Sequence, residues 1–275
     1  VGHLQLRLAR KLVAKFPDDC LAGLALLDYI HLRLARGLVA MLEEHLEDAL
    51  EHFRMVLSLE AQIPDRGVVA ISSFWIARCH RKKGQYDDAL RCTLTARDVA
   101  DSAGYREMAA VMRLLESWLA FQKGRFNEAW EILGEVEDVL SSTDDYMSLG
   151  NLYSTRGRMT RRDGRYERSL EYFERAIREY KKRNARHRNI GRALTNLASV
   201  KRLIATQIVR RIDEAASRGE SATGQRQRFE RLREEALSHL RTAKRIFDRR
   251  RHHHGLGNIM LVRDLLALDG GDLSG

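Results

Sequence analysis

Arg78, Arg81 and Lys82 stand at positions i, i+3 and i+4, and Arg158, Arg161 and Arg162 repeat that spacing 80 residues later. On an α-helix this spacing sets three side chains on one face. Guanidinium and ammonium groups gathered that way suit carboxylates or phosphates. Midway between the trios, Trp118 and Phe121 share a face and could hold an apolar side chain between them. Without a ligand, the same trios are a solvated basic face and Trp118 is partly core. Covalent or acid–base chemistry finds no carrier. There is no phosphate-cradling glycine loop, no Gly-x-Ser-x-Gly and no His-Glu-x-x-His. Asp18-Asp19, Glu43-Glu44 and Asp144-Asp145 fall in helix-start or loop settings, where acidic residues offset the helix dipole. The run from Arg249 to Gly255 ends in His252, His253 and His254. Consecutive histidines on a helix splay about 100° apart and do not converge on one ion. Basic residues before a capping glycine account for the run. The expectation is no enzyme, no metal and no cofactor.

Charge is the next constraint on a partner. The net charge is +10, but residues 1–140 hold 18 Lys and Arg against 21 Asp and Glu, a balance of −3. Residues 141–275 hold 30 against 17, a balance of +13. An acidic partner would dock on the C-terminal half. No stretch of 18 apolar residues occurs, and Arg7, Arg10 and Lys11 interrupt the apolar N-terminus, which reads as an amphipathic helix rather than a signal peptide. Cys20, Cys79 and Cys92 form no CxxC pair or metal spacing; they read as buried, reduced thiols, and the chain as cytoplasmic.

The elements that must position the trios are set by a period. Ala49, Ala89, Ala129 and Ser169 follow one another at intervals of 40 residues. Leu46, Tyr86, Phe126 and Tyr166 stand three places before them, and Gly84, Gly124 and Gly164 five places before the last three. Such a period marks stacked helical repeats. Beyond each small residue, Phe53, Thr93, Leu133 and Phe173, then Val56, Ala96, Val136 and Ala176, continue one buried stripe. Twelve places before it stand Gly37, Ala77, Ser117 and Gly157. With two prolines in 275 residues, and a composition rich in Leu, Ala, Arg and Glu, the chain reads as all-α.

The Gly-x-Tyr-x-x-Ala units at 84–89, 124–129 and 164–169 resemble the joint of a tetratricopeptide repeat. The resemblance covers about residues 30–250 and is to the variant with a period near 40, as in kinesin light chains, Rap-type peptide receptors and maltose-activator-type regulators. It departs in repeat one, where Glu44 and His45 stand at the joint. The resemblance implies a right-handed superhelical solenoid of antiparallel helix pairs, with first helices lining a concave groove. Its groove residues would be Leu38, Met41 and Leu42; Arg78, Arg81 and Lys82; Trp118, Phe121 and Gln122; Arg158, Arg161 and Arg162; then Ser199, Arg202 and Leu203. Asn196 falls where related proteins bond a bound peptide's backbone.

The phase gives a single solenoid: capping helices at 1–29, then repeats at 30–69, 70–109, 110–149, 150–188 and 189–254, and the start of a sixth at 255–275. The native protein is expected to continue past that point. In repeat five, Ala236 falls 67 residues after Ser169 instead of 40. Ile204, Ile208 and Ile212, the tip Gly219-Glu-Ser-Ala-Thr-Gly224, then Phe229 and Leu232, predict a protruding helical hairpin over about 204–231. It is a basic arm carrying Arg210, Arg211, Arg226 and Arg228. The resulting expectation is a non-enzymatic protein- or peptide-binding scaffold, the sensory or interaction domain of a larger regulator, taking an acidic or amphipathic segment in its groove. Two alternatives stay open. One is a nucleic-acid-contacting module that uses the basic half. The other is a domain controlling an enzymatic domain in the same chain. No feature sets an oligomeric state.

Overall fold

The computed structural model describes residues 2–248 and 253–271, and every regular element in them is helical. The chain forms two compact units, 1–143 and 144–275.

The first unit holds α1 (Gly2–Val13), a 3-10 turn (Asp18–Gly23), α2 (Leu26–Leu42), α3 (Leu46–Leu57), α4 (Arg66–Lys82), α5 (Tyr86–Ser102), α6 (Arg106–Gln122) and α7 (Phe126–Ser141), with a short 3-10 turn (Glu60–Gln62) before α4. The second holds α8 (Tyr146–Arg162), α9 (Tyr166–Arg183), α10 (Arg188–Ser217), α11 (Thr223–Asp248) and α12 (His253–Gly271). Within each unit consecutive helices pack on one another. The leading helices α2, α4, α6 and α8 begin at residues 26, 66, 106 and 146, so the 40-residue period is the period of the helix pair.

Each joint is a Schellman turn. At the α4–α5 joint the Gln85 N–H donates to His80 O (3.0 Å) and the Gly84 N–H to Arg81 O (3.2 Å), with Gly84 at φ 78°. Glycine takes this left-handed backbone without a Cβ penalty. The same turn recurs at Gly124 and Gly164, and at Gly104, which joins one pair to the next within the first unit. At the α2–α3 joint Glu44 adopts φ 69°. Its carboxylate partly compensates by accepting from Lys82 Nζ at 2.7 Å. A non-glycine residue in this region costs about 1–2 kcal/mol, and an exposed ion pair returns less than about 1 kcal/mol. Glu44→Gly should therefore raise stability by about 0.5–1 kcal/mol in urea denaturation, whereas Gly124→Ala should lower it by about 1 kcal/mol.

Past the joint, the small residues make close approach possible. Ala49, Ala89, Ala129 and Ser169 are fully buried. The Ser117 hydroxyl donates to Ala129 O at 2.8 Å and the Ser169 hydroxyl to Gly157 O at 2.7 Å, so paired helices touch at backbone level there. Phe53, Thr93, Leu133 and Phe173 form the buried stripe that the spacing predicts. Cys79 is buried, and desolvation raises its thiol pKa to about 11; Cys92 is half-buried. Cys20 is exposed, contrary to the reading of all three as buried, because it lies in the 3-10 turn rather than in a repeat.

The fifth pair is longer than the rest. α10 has 30 residues and α11 has 26. Ile204, Ile208, Ile212 and Ala215 of α10 are buried, as are Phe229 and Ala236 of α11, so the extension carries its own apolar seam. The tip turns at Gly219, φ 70°, and the Glu220 N–H donates to Ala215 O at 2.9 Å.

Candidate functional site

The leading helices α4 and α6 meet through the residues that the spacing singles out. Arg81 of α4 lies over the Trp118 ring of α6, 5.1 Å from its centroid. The Trp118 and Tyr86 rings meet edge to face, their centroids 5.8 Å apart. Arg78 lies over the Trp75 ring at 4.8 Å. Trp118 is half-buried, its inner side packed against the core of α4, α5 and α6. Cations stacked on half-exposed indole faces make a surface that can take both an anion and an apolar group. Lys82 is turned aside, bonded to Glu44 and to Met41 O. Phe121 is buried against Phe126, ring centroids 5.8 Å apart. It is a core residue, so Trp118 and Phe121 do not form an open aromatic pair. Met41 is buried too, while Leu42 and Gln122 are exposed and Leu38 is half-buried.

In the second unit α8 and α10 make the equivalent approach. Arg161 Nη1 donates to Asn196 Oδ1 at 3.3 Å and to the Ser199 hydroxyl at 3.4 Å. The Asn196 amide donates to Arg192 O, one turn back on its own helix. Arg158 lies one turn before Arg161, half-buried. Desolvation lowers the pKa of both arginines, and that of Arg161 falls further through repulsion from Arg158. Arg162 is exposed.

A neutral polar seam leads toward Arg158. Tyr180 of α9 donates its hydroxyl to Asn151 Oδ1 at 2.8 Å, and the Asn189 amide donates to the same oxygen at 3.0 Å. This ties α8, α9 and α10 together without a carboxylate. The repeat phase did not point to these residues, because their polarity is particular to one pair.

Arg202 is drawn away from any groove. Its guanidinium bonds Asp269 of α12 at 2.6 and 3.2 Å, and the Thr206 hydroxyl bonds the same carboxylate at 3.3 Å. Leu203 is half-buried. On the arm, Arg210, Arg211, Arg226 and Arg228 are all exposed, and Arg218 is paired with Glu220. Arg249, Arg250, Arg251 and His252 lie outside the described residues. Among the described residues no group of three or more His, Cys, Asp or Glu forms a metal-holding cluster, and no helix is long and apolar enough to cross a membrane.

No protein-family model and no curated protein matches this sequence. Solved structures do match. A Rap protein complexed with Competence and Sporulation Factor is 13% identical with a TM-score of 0.60, covering 94% of this chain and 81% of that one. The apo form of the quorum sensor NprR from B. thuringiensis is 16% identical with a TM-score of 0.54, covering 96% and 86%. A putative kinesin light chain with nearly identical TPR-like repeats from Podosopora anserina is 15% identical with a TM-score of 0.51, covering 78% and 97%. At such identities the likeness establishes the fold, an all-α helical repeat of tetratricopeptide type.

Proposed function

We propose that this chain is a non-enzymatic scaffold that binds an acidic or amphipathic protein segment along the exposed faces of its leading helices. The observation that carries the reading is that adjacent leading helices, beside their apolar core, also meet through partly exposed cations and amphipathic groups: Arg81 on Trp118 in one unit, Arg161 on Asn196 and Ser199 in the other. Support also comes from two of the similar structures, one described as complexed with Competence and Sporulation Factor and one as a quorum sensor.

The test is a selection from a random peptide library displayed on phage, run on the purified chain. The expected winners carry two or more acidic residues around one bulky apolar residue. Arg78→Glu with Arg158→Glu should weaken the selected peptide at least about tenfold, since truncating charged contacts at an interface commonly costs about 2 kcal/mol or more. Winners that bind the double variant as well as the parent would overturn the reading. A labelled 20-base-pair DNA duplex serves as the second arm. Tight duplex binding that weakens about a thousandfold between 50 and 200 mM salt would place function on the basic half instead.

A further inference from the structure

Arg158 and Arg161 differ from three other half-buried cations of their unit. The half-buried Lys201, Arg202 and Arg233 each pair with a carboxylate: Glu235, Asp269 and Glu230. Arg158 has no hydrogen bond or ion pair to any described residue, and the partners of Arg161 are the neutral Asn196 and Ser199. Asp163, just past the end of α8, pairs with Arg165, and Glu179 of α9 with Lys182. Two like charges one helical turn apart, partly withdrawn from water and without a counter-charge, oppose folding. Arg158, Arg161, Asn196 and Ser199 are each partly exposed.

The geometry points to a single oxyanion subsite here, formed by the Arg158 and Arg161 guanidinium groups on α8 and closed by Asn196 and Ser199 on α10. A carboxylate or phosphate would supply the missing charge. Its oxygens would accept from the two guanidinium groups, and a Ser199 hydroxyl turned away from Arg161 would donate to a further oxygen. The Asn151, Tyr180 and Asn189 seam is neutral, so it adds no competing anion. The inference rests on the peptide reading only for the source of the anion: in that setting it is an acidic side chain or a C-terminal carboxylate, and free phosphate shares the chemistry.

A site of this kind costs stability when empty, which gives it a signature that a structural arginine lacks. In chloride buffer Arg158→Met should melt at or above the parent, because it removes an uncompensated charge and keeps the apolar stem. Sodium phosphate and sodium acetate, each titrated at constant ionic strength against chloride, provide the two probes. The parent should gain about 2–4 °C at concentrations a few-fold above the dissociation constant, and Arg158→Met with Arg161→Met should gain nothing. A larger response to acetate than to phosphate assigns the subsite to carboxylates; the reverse assigns it to phosphate. Equal responses in parent and double variant, or an Arg158→Met protein that melts several degrees below the parent in chloride, would overturn the proposal. The inorganic probes need no peptide, so the subsite can stand while the peptide reading fails. A selected peptide that binds without regard to Arg158 would sink the subsite's role in recognition and leave the scaffold reading intact.

Discussion

Gly37→Ala should destabilise the first unit by about 2–3 kcal/mol in urea denaturation, although alanine is the better helix former by about 1 kcal/mol. A Cβ at residue 37 would lie 2.6 and 2.8 Å from two ring carbons of Phe53. Phe53 is fully buried, so its ring has nowhere to go. Gly134, on the exposed side of α7, is the control: a Cβ there meets nothing within 4 Å, and Gly134→Ala should gain up to about 1 kcal/mol. The repeats themselves supply the rescue. Gly stands opposite the large ring at both Gly37/Phe53 and Gly157/Phe173, whereas the equivalent positions elsewhere read Ala77/Thr93 and Ser117/Leu133. Small and large alternate so that the pair keeps a roughly fixed volume. Gly37→Ser with Phe53→Leu copies the Ser117/Leu133 solution into the first pair. Its loss should fall short of the sum of the single losses by more than about 1 kcal/mol, the coupling expected of residues in direct contact. Strict additivity would show that the two sites do not share space.

That compensation explains what the sequence makes legible and what it hides. The period is readable because the joint imposes a backbone requirement, left-handed φ, that glycine meets in almost every repeat, and a close approach that only Ala or Ser permits. Glu44 shows the limit of such reading. The chain takes the same turn there with glutamate, at φ 69°, the His45 N–H donating to Ala40 O. Side-chain fates at the candidate site were less legible. Spacing puts Trp118 and Phe121 on one face, yet a helix residue three places on is turned about 300°, enough for Phe126 to cover Phe121 and leave Trp118 half-open. Arg202 is in phase with the groove, but its charge is consumed by Asp269, which lies in another helix and 67 residues away. Phase identifies which residues can face a ligand. It does not say which of them the protein has already satisfied, and Arg158 stands out only once those accounts are settled.

Tyr180 joins the fold of the second unit to that site. Its ring is buried among α8, α9 and α10, and a Cβ at Gly150 would lie 2.5 and 2.6 Å from two of its carbons. Its hydroxyl is held by Asn151, and burial pushes its ionisation far above the ordinary tyrosine range, so it stays a neutral donor. Tyr180→Ala should cost about 3–5 kcal/mol, the loss for emptying a large aromatic site. Tyr180→Phe keeps the ring in the Gly150 notch. It removes one of two donors to Asn151 Oδ1, and because Asn189 still donates there, the loss should stay near about 1 kcal/mol. The two variants also separate packing from polar order. If the seam fixes α8 against α10, then Tyr180→Phe, nearly as stable as the parent, should still blunt the melting response to oxyanions, because α8, which carries Arg158 and Arg161, would lose the register that sets Arg161 beside Asn196 and Ser199. An unchanged response in Tyr180→Phe would mean that ring packing alone holds the two helices in place.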